Sequence, residues 1–205
     1  GIGWIYSKKD GEKLTPQFIK GIFQKAAQKR SALMGDESTT AFRLFNGEGD
    51  GLGGITIDWY DGFVVVSWYS AGIYQWKKLI IEQLQEAIPS IQGIYEKIRY
   101  ASKEKLQESQ FVKGVQASDP LIVQEEGVRY ATYLDEGLMT GIFLDQREVR
   151  TLLRDDYSAG KTILNLFSYT GAFSVAAAMG GAIQTTSVDV ANRSLEKTRE
   201  QFEVN

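Results

Sequence analysis

The sequence contains no cysteine and no histidine, only three prolines, and no apolar run near the roughly 18–20 residues of a membrane-crossing helix. Without cysteine there is no disulfide and no thiolate metal site. Without histidine the commonest general base and metal ligand is gone too, so no metal centre is expected. Chemistry on this chain falls to carboxylates, tyrosine, lysine, hydroxyls or a cofactor. The first 30 residues also lack the apolar stretch of a secretory signal, which makes the cytoplasm the default compartment and a membrane partner unexpected.

What is present describes a globular chain. The 205 residues are 43% hydrophobic and 24% charged, enough for one full domain and a smaller one, and unlike a disordered or collagenous sequence. The net charge of −3 conceals an asymmetry: residues 1–30 hold seven Lys/Arg against Asp10 and Glu12. A basic segment spanning 8–30 on an otherwise acidic chain suits nucleic-acid phosphates, or is simply a solvated helix face.

Thr15-Pro16 is a helix start, and Phe18, Ile19, Ile22, Phe23, Ala26 and Ala27 recur at helical spacing to about Arg30. After a polar linker at 35–39 the pattern turns to strands at 41–46, 55–60 and 63–68, the last two joined by Asp61-Gly62, a hairpin signal. A helix at 76–87 stopped by Pro89, a strand at 93–100, a charged connection at 101–120 and a hairpin at 121–134 turning at Glu126-Gly127 follow. The Gly-rich loop 46–54 fails as a calcium loop, because Ile57 stands where the bidentate Glu belongs, and fails as a phosphate cradle, because Glu48 and Asp50 repel phosphate. It reads as a strand connection using glycine for positive φ.

From Gly141 the rhythm becomes β-α-β-α: Asp145 as cap of a helix bearing Val149, Leu152 and Leu153, a strand at 162–166, a helix at 172–179, a strand at 185–188 and a helix at 194–202. That is the pattern of a doubly wound parallel sheet. Two parallel strands leave apolar faces and edges uncovered, so the domain is expected to continue past Asn205 or to be completed by a partner.

The functional signal is the strand–turn–helix containing Asn165, Phe167, Ser168, Tyr169, Thr170 and Gly171, followed by Asp189 at the end of the next strand. An acid about 20 residues beyond such a turn suits ribose hydroxyls. A pyrophosphate needs glycines where Phe167, Ser168 and Tyr169 stand. Bulky residues are tolerable beneath a ligand without phosphates, which favours S-adenosylmethionine over a dinucleotide. Gln146 and Arg147, just upstream, are within reach of the same site, with Arg147 able to pair a carboxylate.

At three places, Phe42-Arg-Leu-Phe-Asn-Gly-Glu-Gly-Asp-Gly-Leu52, Phe143-Leu-Asp-Gln-Arg147 and Asn165-Leu-Phe-Ser-Tyr-Thr-Gly-Ala-Phe173, the sequence resembles the S-adenosylmethionine-dependent methyltransferases related to the bacterial 23S ribosomal RNA cytosine-5 methyltransferase. The resemblance implies an α/β architecture: the tail of a PUA-like domain at 1–14, a central α+β domain at 15–118, and the opening half of a Rossmann-like methyltransferase domain at 119–205. It implies that residues 165–171 line the methionine end of the cofactor, that Asp189 holds the ribose, and that Gln146 and Arg147 lie close by. Ribosomal RNA would be the partner, its base flipped out where it lies in a helix, and a homodimer is compatible. Gly53 departs from a common proline. Methylation at cytosine C5 calls for a nucleophile at C6, usually a thiolate. No catalytic residue is therefore expected within the 205, and no turnover from them alone. Two other readings are a non-catalytic RNA-binding or assembly module with a vestigial nucleoside pocket, and a nicotinamide-dependent oxidoreductase.

Overall fold

Helix α1 spans Pro16–Lys29 and starts as its sequence demands, the Thr15 hydroxyl accepting the Phe18 N–H at 3.2 Å. The computed structural model describes residues 6–8, 10–102 and 105–205. Lys9 of the basic segment, residues 1–5 of the expected leading tail, and residues 103 and 104 of the charged connection lie outside the described residues. Two units are distinguished. One comprises the described residues up to Asp36 with Phe42–Ala117 and Asp135–Leu138; the other comprises Glu37–Ala41, Ser118–Leu134 and Met139–Asn205. Among the described residues no helix is long and apolar enough to cross a membrane.

The first unit is built on a five-stranded sheet in chain order: β1 (Ala41–Asn46), β2 (Ile55–Tyr60), β3 (Phe63–Trp68), β4 (Gly93–Ile98) and β5 (Ser109–Gly114). The Asp61-Gly62 turn closes the antiparallel β2–β3 pair with both residues at positive φ, 45° and 89°, as a right-twisted hairpin requires. Helix α2 (Ser31–Met34) is a short turn between α1 and β1; from β3 the chain crosses over through α3 (Ala71–Tyr74) and α4 (Lys77–Ala87), and β4 then pairs parallel to β3. Alternate residues Ile55, Ile57, Val64, Val66, Trp68 and Ile94 turn one sheet face toward Ile19 and Phe23 of α1 and Ile80 and Leu84 of α4 to form the core.

Strand β5 corrects the reading of 101–120 as a charged connection. Gln110-Phe111-Val112-Lys113 has no period-two alternation, and the strand is secured by tertiary contacts: antiparallel pairing with β4 and a Tyr95–Phe111 edge contact at 5.3 Å. The basic segment is partly committed within the same unit. Lys20 pairs with Glu86 at 3.2 Å, while Lys29 and Arg30 both reach Asp50, at 2.9 and 2.7 Å. Asp50 also accepts the Asn46 N–H at 2.8 Å, so the acid of the Gly-rich loop fastens α1 to that loop.

Burial pushes the Asp50 carboxyl up, but the bonds from Arg30, Lys29 and the Asn46 amide outweigh it and hold it at about 2. A carboxylate depressed below its unfolded value near 3.9 stabilises the fold above that pH and loses the contribution as pH falls through the folded value. Asp50→Asn is therefore expected to cost about 1–2 kcal/mol at pH 7. In urea titrations the gap between the two proteins should close between about pH 4 and pH 2, and a gap independent of pH would assign it to packing.

In the second unit β6 (Leu121–Glu125) and β7 (Val128–Thr132) form the expected hairpin, with Glu126 and Gly127 both at positive φ. Part of the polar linker is docked here: the Ser38 carbonyl accepts the Gly127 N–H at 2.9 Å, the Thr39 hydroxyl accepts the Glu126 N–H at 3.2 Å, and Thr39 is fully buried. Parallel strands β8 (Thr162–Leu166) and β9 (Gln184–Val188) carry α6 (Ala172–Met179) between them, and α7 (Asn192–Glu203) follows. Leu164, Leu166 and Val188, in register on one face of this pair, are exposed. Asp145 does not cap the helix that follows it. It lies in a short 3-10 turn, Leu144–Gln146, and α5 (Arg147–Leu152) follows with Gln146 in the cap position and no side-chain cap bond.

Candidate functional site

Strand β8 ends at Leu166, and the next five residues turn sharply into α6. Phe167, Tyr169 and Gly171 all take positive φ, at 54°, 50° and 76°, with Ser168 and Thr170 between them. Only glycine adopts that conformation without cost, so Phe167 and Tyr169 store strain of about 1–3 kcal/mol each. This backbone is held from three sides. The Ser168 N–H donates to the Val188 carbonyl at 3.0 Å, the Gly171 N–H to the Ser168 carbonyl at 2.8 Å, and the Tyr169 N–H to an Asp189 carboxylate oxygen at 2.9 Å.

Asp189 stands at the end of β9 and accepts the Ala191 N–H on its other oxygen at 3.0 Å. The amides of Ala191 and Tyr169 draw its carboxyl below the usual range, so it is ionised at neutral pH. Each oxygen keeps acceptor capacity beyond those bonds.

A second segment closes the site. Tyr169 Oη accepts the Gly141 N–H at 3.1 Å, the Thr170 hydroxyl donates to the Gly141 carbonyl, and the Phe143 and Tyr169 rings meet at 5.6 Å. Between this segment and the turn is a cavity of about 270 Å³. Its walls are both apolar (Ile142, Phe143, Phe173) and polar (Gln146, Asn165, Ser168, Thr170). Phe167 stands at the rim, 88% exposed.

Of the residues singled out from sequence, Gln146, Asn165, Phe167, Ser168, Tyr169 and Thr170 line this cavity. Gly171 and Asp189 do not line it and act on its wall through the turn backbone. Arg147 is not brought to it. The arginine that reaches the cavity is Arg150, one helical turn on, whose guanidinium makes a buried pair with Glu125 at 2.6–2.9 Å and donates to the Phe143 carbonyl at 2.9 Å. Asn165 is partly engaged below the floor, donating to the Ser174 hydroxyl at 3.0 Å, which in turn meets Ser187 at 2.7 Å. Phe143 belongs to a motif the sequence offers, but the places of Phe143, Ile142 and Arg150 in the cavity wall escaped the sequence reading. Gly141, at φ 101°, was the available signal that this segment turns toward something.

One atom tests the site for a ligand. Ser168 Oγ is the single buried side-chain polar atom without a hydrogen-bond partner among the described residues. A buried hydroxyl left unpaired costs about 1–3 kcal/mol, and a polar ligand in the cavity would satisfy it.

The sequence profile of the S-adenosylmethionine-dependent methyltransferases matches residues 42–205. The chain is 55% identical over its whole length to YwbD of Bacillus subtilis, a candidate ribosomal RNA large subunit methyltransferase, covering 52% of that protein. It is 34% identical over 98% of its length to ribosomal RNA large subunit methyltransferase I of Shewanella amazonensis, covering 51% of it. Among solved structures, a candidate S-adenosylmethionine-dependent methyltransferase of Streptococcus mutans superposes with TM-score 0.94 at 46% identity, over 100% of this chain and 53% of that one. A candidate methyltransferase complexed with SAH (S-adenosylhomocysteine) superposes with TM-score 0.93 at 46% identity, over 99% and 52%. The chain thus spans about half the length of these relatives.

Proposed function

We propose, for a chain that belongs to the S-adenosylmethionine-dependent methyltransferase family, that the 141–189 region holds the methyl donor and that the protein methylates large-subunit ribosomal RNA in the cytoplasm. The observation that carries the cofactor assignment is the unpartnered Ser168 hydroxyl in a cavity flanked by an ionised Asp189. The residues fit the group. Ser168 and Thr170 offer hydroxyls, and Asn165 a side-chain carbonyl, to the amino-acid end. Asp189 has spare acceptor capacity for ribose hydroxyls, and Phe143, Ile142 and Phe173 offer apolar surface. No phosphate has to be accommodated, which agrees with aromatic side chains where a dinucleotide site has glycines.

When bound, S-adenosylmethionine supplies a methyl group on a positively charged sulfur, ready for transfer to a nucleophilic atom. The chain's own part is to orient it. Asp189 fixes the Tyr169 amide and thereby the strained turn, Tyr169 and Phe143 exclude water from one wall, and the Gly141 amide holds the Tyr169 ring in place. The substrate assignment draws on the names of the relatives, and cytosine C5 is the atom we infer from the sequence resemblance. Addition of a thiolate at C6 is not a step these 205 residues carry, because none is cysteine.

A calorimetric titration with S-adenosylhomocysteine, run beside NAD, tests the cofactor site. The thioether should bind and NAD should not, and Asp189→Ala should weaken binding by about 1–3 kcal/mol, the value of a charged hydrogen bond. Preference for NAD, or unchanged affinity in the variant, would overturn the assignment.

A further inference from the structure

Three cations of the basic segment are tied to Glu86 and Asp50, so an RNA-facing surface on the first unit must draw on others. A groove between α4 and β5 offers them. It has a volume of about 420 Å³, a floor of Tyr74, Ile81 and Val112, and a rim of Lys77, Lys78, Lys113 and Glu82. Lys77 lies 2.6 Å from Glu96, a fully buried carboxylate that also accepts the Trp68 indole N–H at 2.9 Å, and its charge is largely balanced there. Lys78 and Lys113 are exposed and enter no ion pair among the described residues. With Glu82 and Glu96 counted the groove stays net positive, on a chain whose net charge is −3.

An apolar floor beneath uncommitted lysines is complementary to one chemistry in particular: a planar base with phosphates on either side. A paired helix keeps its bases stacked inside and cannot fill such a floor, whereas an unpaired strand can. The volume falls within the range of small-ligand sites. We propose that this groove docks an unpaired segment of RNA, a base against Tyr74, Ile81 and Val112 and the flanking phosphates on Lys78 and Lys113. The proposal rests on the RNA substrate assigned above and makes this groove, in preference to the basic segment, the RNA contact of the first unit.

Fluorescence anisotropy with a labelled oligouridine, titrated at several salt concentrations, tests it. Each lysine that neutralises a phosphate on a single strand contributes about 0.7 to the slope of log affinity against log salt. Lys78→Ala/Lys113→Ala should therefore shallow that slope by about 1.4. Lys13→Ala/Lys25→Ala, which removes the same charge from the basic segment, should leave it unchanged. The far-ultraviolet circular dichroism and the urea unfolding midpoint should be the same in both variants as in the unaltered protein, which shows that they fold. In the unaltered protein, photocrosslinking to a 4-thiouridine-containing strand should label the peptides bearing Tyr74 or Val112. Should the protein bind neither oligouridine nor ribosomal RNA fragments, the RNA assignment falls and takes the groove with it. Should it bind them with a slope that responds to Lys13 and Lys25 and not to Lys78 and Lys113, the groove proposal alone is overturned. Crosslinks confined to other peptides would overturn it as well.

Discussion

Replacing Arg150 with methionine is expected to destabilise the protein by about 3–5 kcal/mol, because it strands the Glu125 carboxylate in the interior. The pair is almost wholly enclosed, with side-chain exposures of 3% and 2%, and Arg150 also lies within 6 Å of the Tyr130 and Phe173 rings. Burial pushes the Glu125 carboxyl up and Arg150 pulls it back, so the carboxylate depends on its partner. The double variant Glu125→Leu/Arg150→Met, with neither charge left, should recover most of the loss. Urea titrations of the single and double variants give the coupling directly. A small loss in Arg150→Met would mean that Glu125 takes up a proton in the folded state. Because Arg150 also holds the Phe143 carbonyl, the single variant should in addition loosen the segment that closes the cofactor cavity.

The second large effect is expected at Gly171. A Cβ there would lie 2.5 Å from Thr198 Cγ2 and 2.9 Å from its hydroxyl, at a φ of +76° that side chains rarely adopt. Gly171→Ala combines backbone strain with overpacking, each about 1–3 kcal/mol, and should cost roughly 2–6 kcal/mol while abolishing S-adenosylhomocysteine binding. Gly160→Ala isolates the strain: its φ is +70° with nothing within 4 Å of the added carbon, so about 1 kcal/mol should be lost and ligand binding kept. Adding Thr198→Ala to Gly171→Ala should restore part of the stability. If the two glycine variants lose equal amounts, the close approach of α7 to the turn is not what demands glycine there.

How far the sequence could be read depended on where the determining information lay. The β2–β3 hairpin was legible because Asp61-Gly62 states its own turn chemistry, and α1 because Thr15-Pro16 and the helical spacing after it are local. The mixed α/β fold followed from such segments. Strand β5 was not legible, since its residues pair only because β4 lies beside them. The same limit applies to arginine. The sequence points to Arg147, and that Arg150 is the one to reach the cavity depends on Glu125, 25 residues away. In the 165–171 turn the residue types suggested a ligand without phosphates. That Phe167 and Tyr169 would take glycine's backbone conformation, leaving Ser168 buried and unpaired, depends on Asp189 and Val188 on the neighbouring strand.

The outer strand of the β6–β7 hairpin is covered by side-chain amides instead of another strand. Gln201 bonds both the N–H and the carbonyl of Ala131 at 2.8 Å, and Asn205 does the same for Arg129 at 2.9 and 2.8 Å. The end of α7 and the residues just after it thereby reproduce the hydrogen-bond ladder of a missing neighbour. The cover is made in the last few residues of the sequence, 70 positions after the strand it protects. On a ribosome adding about 5–20 residues per second, that open edge waits roughly 4–14 s for its partner. During that interval the backbone groups of Ala131 and Arg129 are open to pairing with another strand, an exposure that the finished fold conceals.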